Sequence, residues 1–207
     1  MAITIVHLAL DRSPYNYYDG GMPRTSTAKS RFIETAVALF RARGYHGVGL
    51  AEIIEQAKAP KGSFYFHFPG GKEELAEEAI RYAGGYLPHL MQKYFAHSNT
   101  LAAGIDGIVT HLARNFEASG WSLGCPVASV MLDTTPASER LSRVFEEVTE
   151  KWIVCISENF ERFGEPEPRK LAIRFLIALE GAWLVARVLK SREPFVEAVS
   201  SVTAGLK

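Results

Sequence analysis

The chain has 207 residues, 47% of them hydrophobic and 22% charged, which is the balance of a soluble globular protein able to bury a sizeable core. Basic and acidic residues number 23 each, so the formal net charge is zero; a uniformly basic nucleic-acid coat is excluded, while a basic patch set against an acidic remainder is not. Cys125 and Cys155 carry no CxxC or Cys/His spacing, so neither a disulfide framework nor a metal site is suggested, and nothing points to a cofactor.

No apolar run approaches the roughly 18 residues of a membrane-spanning helix. The apolar first ten residues lack the basic start and small-residue cleavage site of a signal peptide. These features describe a cytosolic protein with no membrane partner. Residues 1–22 show no helical period and contain Pro14 and Gly20-Gly21, so they read as a leader that is disordered or not part of the native start.

A first helix follows, with Thr25 or Ser26 as its cap. Phe32, Ala36, Leu39 and Phe40 share one face of it, and Gly44 stops it. After Gly47 and Gly49, the residues Leu50, Ile53, Ile54 and Ala57 mark a second helix. Pro60 suits the first position of a short third helix, which buries Phe64 and Phe68. Pro69-Gly70-Gly71 makes a turn, and Lys72 begins a fourth helix carrying Leu75, Ala79 and Tyr82. That helix should kink or break near Gly84-Gly85, because Pro88 has no N–H for the carbonyl of Gly84.

Further on, Leu101, Ile105, Ile108, Leu112 and Phe116 form a helical stripe. A loop at Gly120–Gly124 leads through Cys125-Pro126 to a short helix ending near Asp133. A long helix carries Leu141, Phe145, Val148, Trp152, Ile156 and Phe160. Another carries Ala172, Phe175, Leu179, Trp183 and Ala186, and a last one starts at Pro194. No strand alternation or internal repeat appears, so the fold is read as all-α.

Charge is concentrated early. From Arg24 to Lys72 eight basic residues face three acidic ones, an excess that the rest of the chain cancels. Two short helices behind a longer one are the layout of a helix-turn-helix, whose later helix enters the major groove of double-stranded DNA. Outward positions of the third helix would be Lys61, Ser63, Tyr65, Phe66 and His67, groups able to meet phosphates, base edges and thymine methyls. Gly62 lets the helix start approach DNA closely. Lys72, at the start of the next helix, suits a phosphate. Phe66 either joins these contacts or packs against the fourth helix.

Residues 44–80, and the segment PKGSFYFHFPGGKEEL above all, resemble the DNA-binding domain of the tetracycline-repressor (TetR) family. The FPGGKEELAEEAI run and the later GCPVAS segment look like its LmrA/YxaF-type branch. The resemblance implies a DNA-binding domain over residues 23–71, including Arg24 as a contact, and an effector-binding and dimerisation domain over 72–207. It also implies a homodimer that represses transcription from a palindromic operator and is released by a small-molecule effector. Two departures stand out. Lys58 occupies the inter-helix turn where the family usually has glycine, and a positive φ there would cost about 1 kcal/mol, so an adjusted turn is the expectation. Gly49 replaces the usual Thr or Ser cap of the second helix.

Dimerisation is expected through the last two long helices, with Ala172, Phe175, Leu179, Ala182, Ala186 and the Phe195/Val199 stripe at the two-fold axis. Phe116, Trp121, Cys125, Trp152, Glu180 and Trp183 are the candidate ligand contacts, although aromatics at helical spacing are commonly just core. Cys125, beside Pro126 at a helix start, also admits a thiol-dependent enzyme or sensor. An effector-independent DNA-binding adaptor is the other alternative.

Overall fold

The computed structural model describes residues 27–204. The expectations for the leader, for Arg24 and for capping by Thr25 or Ser26 fall outside them. Among the described residues there are ten helices and no strand: α1 (Ala28–Arg43), α2 (Leu50–Gln56), α3 (Lys61–His67), α4 (Gly71–Gly84), α5 (Tyr86–Phe95), α6 (Leu101–Ala118), α7 (Pro126–Thr134), α8 (Glu139–Arg162), α9 (Pro168–Leu189) and α10 (Glu193–Thr203). The all-α reading therefore holds.

The described residues fall into two compact units, one built from those up to Ala83 with Pro126–Glu146 and the other from Gly84–Cys125 with those from Glu147 onward. In the first unit Thr27 caps α1, its side chain accepting the Ser30 N–H. The predicted face of α1 is buried, and α2, α3 and α7 all pack against that helix. Phe32 meets Phe64 edge-on at 5.3 Å and Phe68 at 6.2 Å, and Phe64 and Phe68 lie 5.3 Å apart. Phe64 on the seven-residue α3 and Phe68 just after it thus close on Phe32 of the longer α1, and this contact supplies the area that so short a helix needs, since it is not stable by itself. Pro60 is the N-cap of α3 rather than its first residue, and its carbonyl accepts from Ser63 and Phe64.

In the second unit α6, α9 and α10 pack together, and α5 packs on α6. Phe160 bridges Phe95 and Phe175 at 6.1 Å each. The helix breaks near Gly84 as expected, and the structure adds the reason that the break is held. Pro88 leaves the Gly84 carbonyl without its helical donor, and the buried Trp152 indole N–H takes that place at 2.6 Å. A Cβ on Gly84 would come within 2.7 Å of Val148 Cγ1, so glycine is required by packing as well.

Most of the residues expected at the two-fold axis belong to the protomer's own core, Val199 being only half-buried. Ala172, Phe175, Leu179, Ala182, Ala186 and Phe195 are buried inside the protomer. Helix α9 is apolar on more than one face, and the period alone did not say which face the protomer's own core would take. Its exposed stripe is Ile173, Ile177, Leu184 and Val188, all on one side at helical spacing; Ile177, Leu184 and Val188 are 68%, 62% and 80% exposed.

Candidate nucleic-acid interface

Helix α3 divides its side chains cleanly. Phe64 and Phe68 are fully buried, which turns the intervening residues outward. Tyr65 is 49% and Phe66 is 81% exposed, Lys61 and Gly62 are exposed, and Ser63 and His67 are half-buried. Phe66 does not pack against α4. Its ring stands over His67 at 5.1 Å, with Tyr65 edge-on to Phe64 at 5.3 Å. The packing that hides two rings thus fixes the direction of the polar and aromatic groups between them. A Cβ on Gly62 would meet nothing within 4 Å, so the start of α3 is open.

The turn into α3 keeps the backbone that the family usually gives to glycine. Lys58 has φ 50°, and its carbonyl accepts from the Arg31 guanidinium at 3.2 Å. That long-range bond ties the turn to α1 and offsets part of the left-handed strain. Gly49 is the N-cap of α2 and supplies no side-chain bond, as its identity requires.

Lys72 is more engaged than the sequence indicated. Its ammonium donates to the Tyr45 carbonyl at 2.7 Å and lies 4.0 Å from the Tyr45 ring centroid. Burial lowers its pKa, and the Asp133 carboxylate works against that shift. An ammonium has three donors, so the bond to Tyr45 leaves capacity for a phosphate.

The candidate ligand residues of the second unit fall into a cluster and an outlier. Phe116 packs edge-on against Trp121 at 5.5 Å and Phe195 at 6.2 Å, and Trp183 lies 6.0 Å from Phe195. Glu180 and Trp183 are one turn apart on α9, and Arg187 follows one further turn along with its guanidinium 5.6 Å from the Phe116 ring. Burial pushes the Glu180 carboxyl up, while a hydrogen bond from the Cys125 thiol opposes the shift. The Trp183 indole N–H is buried without a hydrogen-bond partner, an uncommon state for a buried indole. Trp152 is the outlier, tied to Gly84 as described above.

Arg187 was not among the sequence candidates, although its spacing from Glu180 and Trp183 was visible in the chain. His111 also gains partners that no local pattern announced. Its Nε2 lies 2.8 Å from Tyr86 Oη and 2.9 Å from Asn115 Nδ2, and burial lowers its pKa. No helix among the described residues is long and apolar enough to cross a membrane.

Comparison with known proteins agrees with this layout. Residues 32–79 match the family described as bacterial regulatory proteins, tetR family, and residues 102–201 match the C-terminal domain described as transcriptional regulator LmrA/YxaF-like. The uncharacterized HTH-type transcriptional regulator YxaF of Bacillus subtilis (strain 168) is 30% identical, covering 84% of this chain and 93% of that protein. The HTH-type transcriptional regulator LmrA of the same organism is also 30% identical, covering 87% and 97%. A crystal structure of a TetR transcriptional regulator from Legionella pneumophila superposes with a TM-score of 0.76 at 17% identity, covering 89% of this chain and all of that one.

Proposed function

Because the chain belongs to the TetR family of bacterial regulators, we propose that it is a homodimeric repressor that binds a palindromic operator and is released by a small molecule. The match of residues 102–201 supports placing it in the LmrA/YxaF-like branch. The observation that carries the operator reading is the outer face of α3. A phenylalanine 81% exposed between two fully buried ones has no role in this protomer's core, and a helix carrying Lys61, Ser63, Tyr65 and His67 beside it offers what a major groove needs.

A second copy of this chain fits the Ile173, Ile177, Leu184 and Val188 stripe, because contiguous exposed apolar side chains of this kind mark an interaction surface. Two copies related by a two-fold axis would present two reading helices, as a palindrome requires. The effector is assigned to the cluster of Phe116, Trp121, Cys125, Glu180 and Trp183, with Trp152 acting on the α4–α5 break. The free indole N–H of Trp183 and the partly buried Glu180 carboxyl are the polar groups able to orient it. A thiol-dependent enzyme or sensor is disfavoured, since Cys125 is buried and its thiol is engaged by the Glu180 carboxyl.

Selection from randomised duplexes would supply the operator, and titrations of three variants would test the face. Phe66→Ala and Tyr65→Ala should leave thermal stability within about 0.5 kcal/mol and weaken operator binding about tenfold, with little effect on non-specific DNA. Lys61→Ala should weaken all sequences alike and flatten the salt slope by about one unit. Wild-type operator affinity in both aromatic variants would refute the interface. A regulator insensitive to every compound in a broad ligand screen would support the adaptor alternative.

A further inference from the structure

Segment Pro126–Glu146 lies in the same compact unit as the helix-turn-helix, and its polar side chains reach both flanks of the reading helix. Asp133 follows His46 by 87 positions. Its Oδ2 accepts the His46 backbone N–H at 3.2 Å, and its main-chain carbonyl lies 3.1 Å from His46 Nε2. A carbonyl can only accept, so the imidazole proton sits on Nε2. The same carboxylate lies over the end of α1, where any Cβ on Gly44 would overlap Oδ2, and Gly44 has φ 72°.

On the other flank Ser138 Oγ donates to Glu73 and Arg140 Nε donates to Glu77, each at 2.5 Å. Lys72, at the start of α4, donates its ammonium to the Tyr45 carbonyl in the loop before α2. The loop Gly44–His46 leads into α2, and Lys72 to Glu77 form the part of α4 that follows α3. One short segment therefore grips the chain before and after the helix-turn-helix.

The position of Asp133 has no local explanation. It sits in the last turn of α7, where a carboxylate opposes the helix dipole. Its compensation is tertiary: the His46 amide, and the Lys72 ammonium whose charge it supports.

We propose that Asp133 is a positioning residue for operator binding, fixing the Gly44–His46 loop and, with it, the start of α2 and the Lys72 ammonium relative to α3. The proposal rests on the operator-binding reading above. The charge of Asp133 gives the test a sign. A carboxylate repels phosphates, so electrostatics alone would make its removal tighten binding to every duplex. Loss of position weakens the operator complex and leaves non-specific binding in place.

Full-length Asp133→Ala and Asp133→Asn are titrated against the selected operator and a scrambled duplex of the same length over a range of salt. Asp133→Ala should weaken operator binding about tenfold, with the scrambled duplex bound as well as by wild type or better, and with an unchanged salt slope. Asp133→Asn keeps an oxygen acceptor for the His46 amide and should recover operator affinity to within about threefold of wild type. Asp133→Ser, too short to reach that amide, replaces the alanine variant if the latter does not fold. Operator affinity at or above wild type in the alanine or serine variant overturns the assignment. So does equal weakening of both duplexes, or failure of asparagine to recover. A wild-type chain that selects no operator would sink the operator-binding reading itself, which separates the two failures.

Discussion

Trp152→Phe isolates the bond that holds the α4–α5 break. The Gly84 carbonyl is buried, Pro88 cannot donate to it, and Trp152 Nε1 does so at 2.6 Å. Phenylalanine keeps an aromatic ring there but removes the donor. Leaving a buried carbonyl unpaired costs about 1–3 kcal/mol, and the smaller ring loses about 1 kcal/mol more of packing. A loss of about 2–4 kcal/mol corresponds to a fall of roughly 4–16 °C in Tm for a chain of this length. Pro88→Ala provides the control, because an alanine at position 88 has an N–H that can reach the Gly84 carbonyl four residues back. In that background Trp152→Phe should cost about 1 kcal/mol less. The assay is a double-mutant cycle by urea unfolding with calorimetric Tm values alongside. Additive effects within about 0.5 kcal/mol would refute the reasoning, since the indole and the proline would then not share the carbonyl.

Ile177→Glu or Val188→Glu should convert the dimer to a folded monomer in size measurement at micromolar concentration and abolish tight operator binding, whereas Phe175→Glu should unfold the chain. A dimer surviving both surface substitutions would remove α9 from the interface. Glu180→Gln tests the partly buried carboxyl. Burial holds its folded pKa above that of a free carboxyl, so the native state keeps a proton that the unfolded chain has released, and wild-type stability falls as pH rises through the carboxylate range. The glutamine variant should show a flatter dependence of the urea midpoint between about pH 5 and 8, and should gain on wild type toward the upper end. An identical pH profile would mean that Glu180 titrates normally.

Much of this protein was legible in the chain because helices write their buried faces into a 3.6-residue period. Phe32, Ala36, Leu39 and Phe40 were expected on one side of the first helix, and all are buried. Phe64 and Phe68, four apart, were expected inward and are, whereas Phe66 stood open between a DNA contact and packing on the fourth helix until its exposure decided it. Backbone chemistry was equally local. The missing N–H of Pro88 marked the break at Gly84, whereas Lys58 came into question only through the family's usual glycine, and its positive φ shows that the turn is not adjusted to avoid the strain.

What the sequence could not decide was where an apolar or polar group finds its partner. Helix α9 carries apolar residues on two faces, and only the packed protomer shows that Phe175, Leu179 and Ala186 face inward while Ile177, Leu184 and Val188 stay out. Trp152 reads as a pocket aromatic by composition, yet its indole bonds a carbonyl 68 residues away. Asp133 is an ordinary helix-end acid until the fold brings it to His46. Period and turn chemistry are properties of neighbouring residues and survive in the linear string, whereas hydrogen bonds across tens of residues depend on which helices meet, and that was settled only when the cores closed.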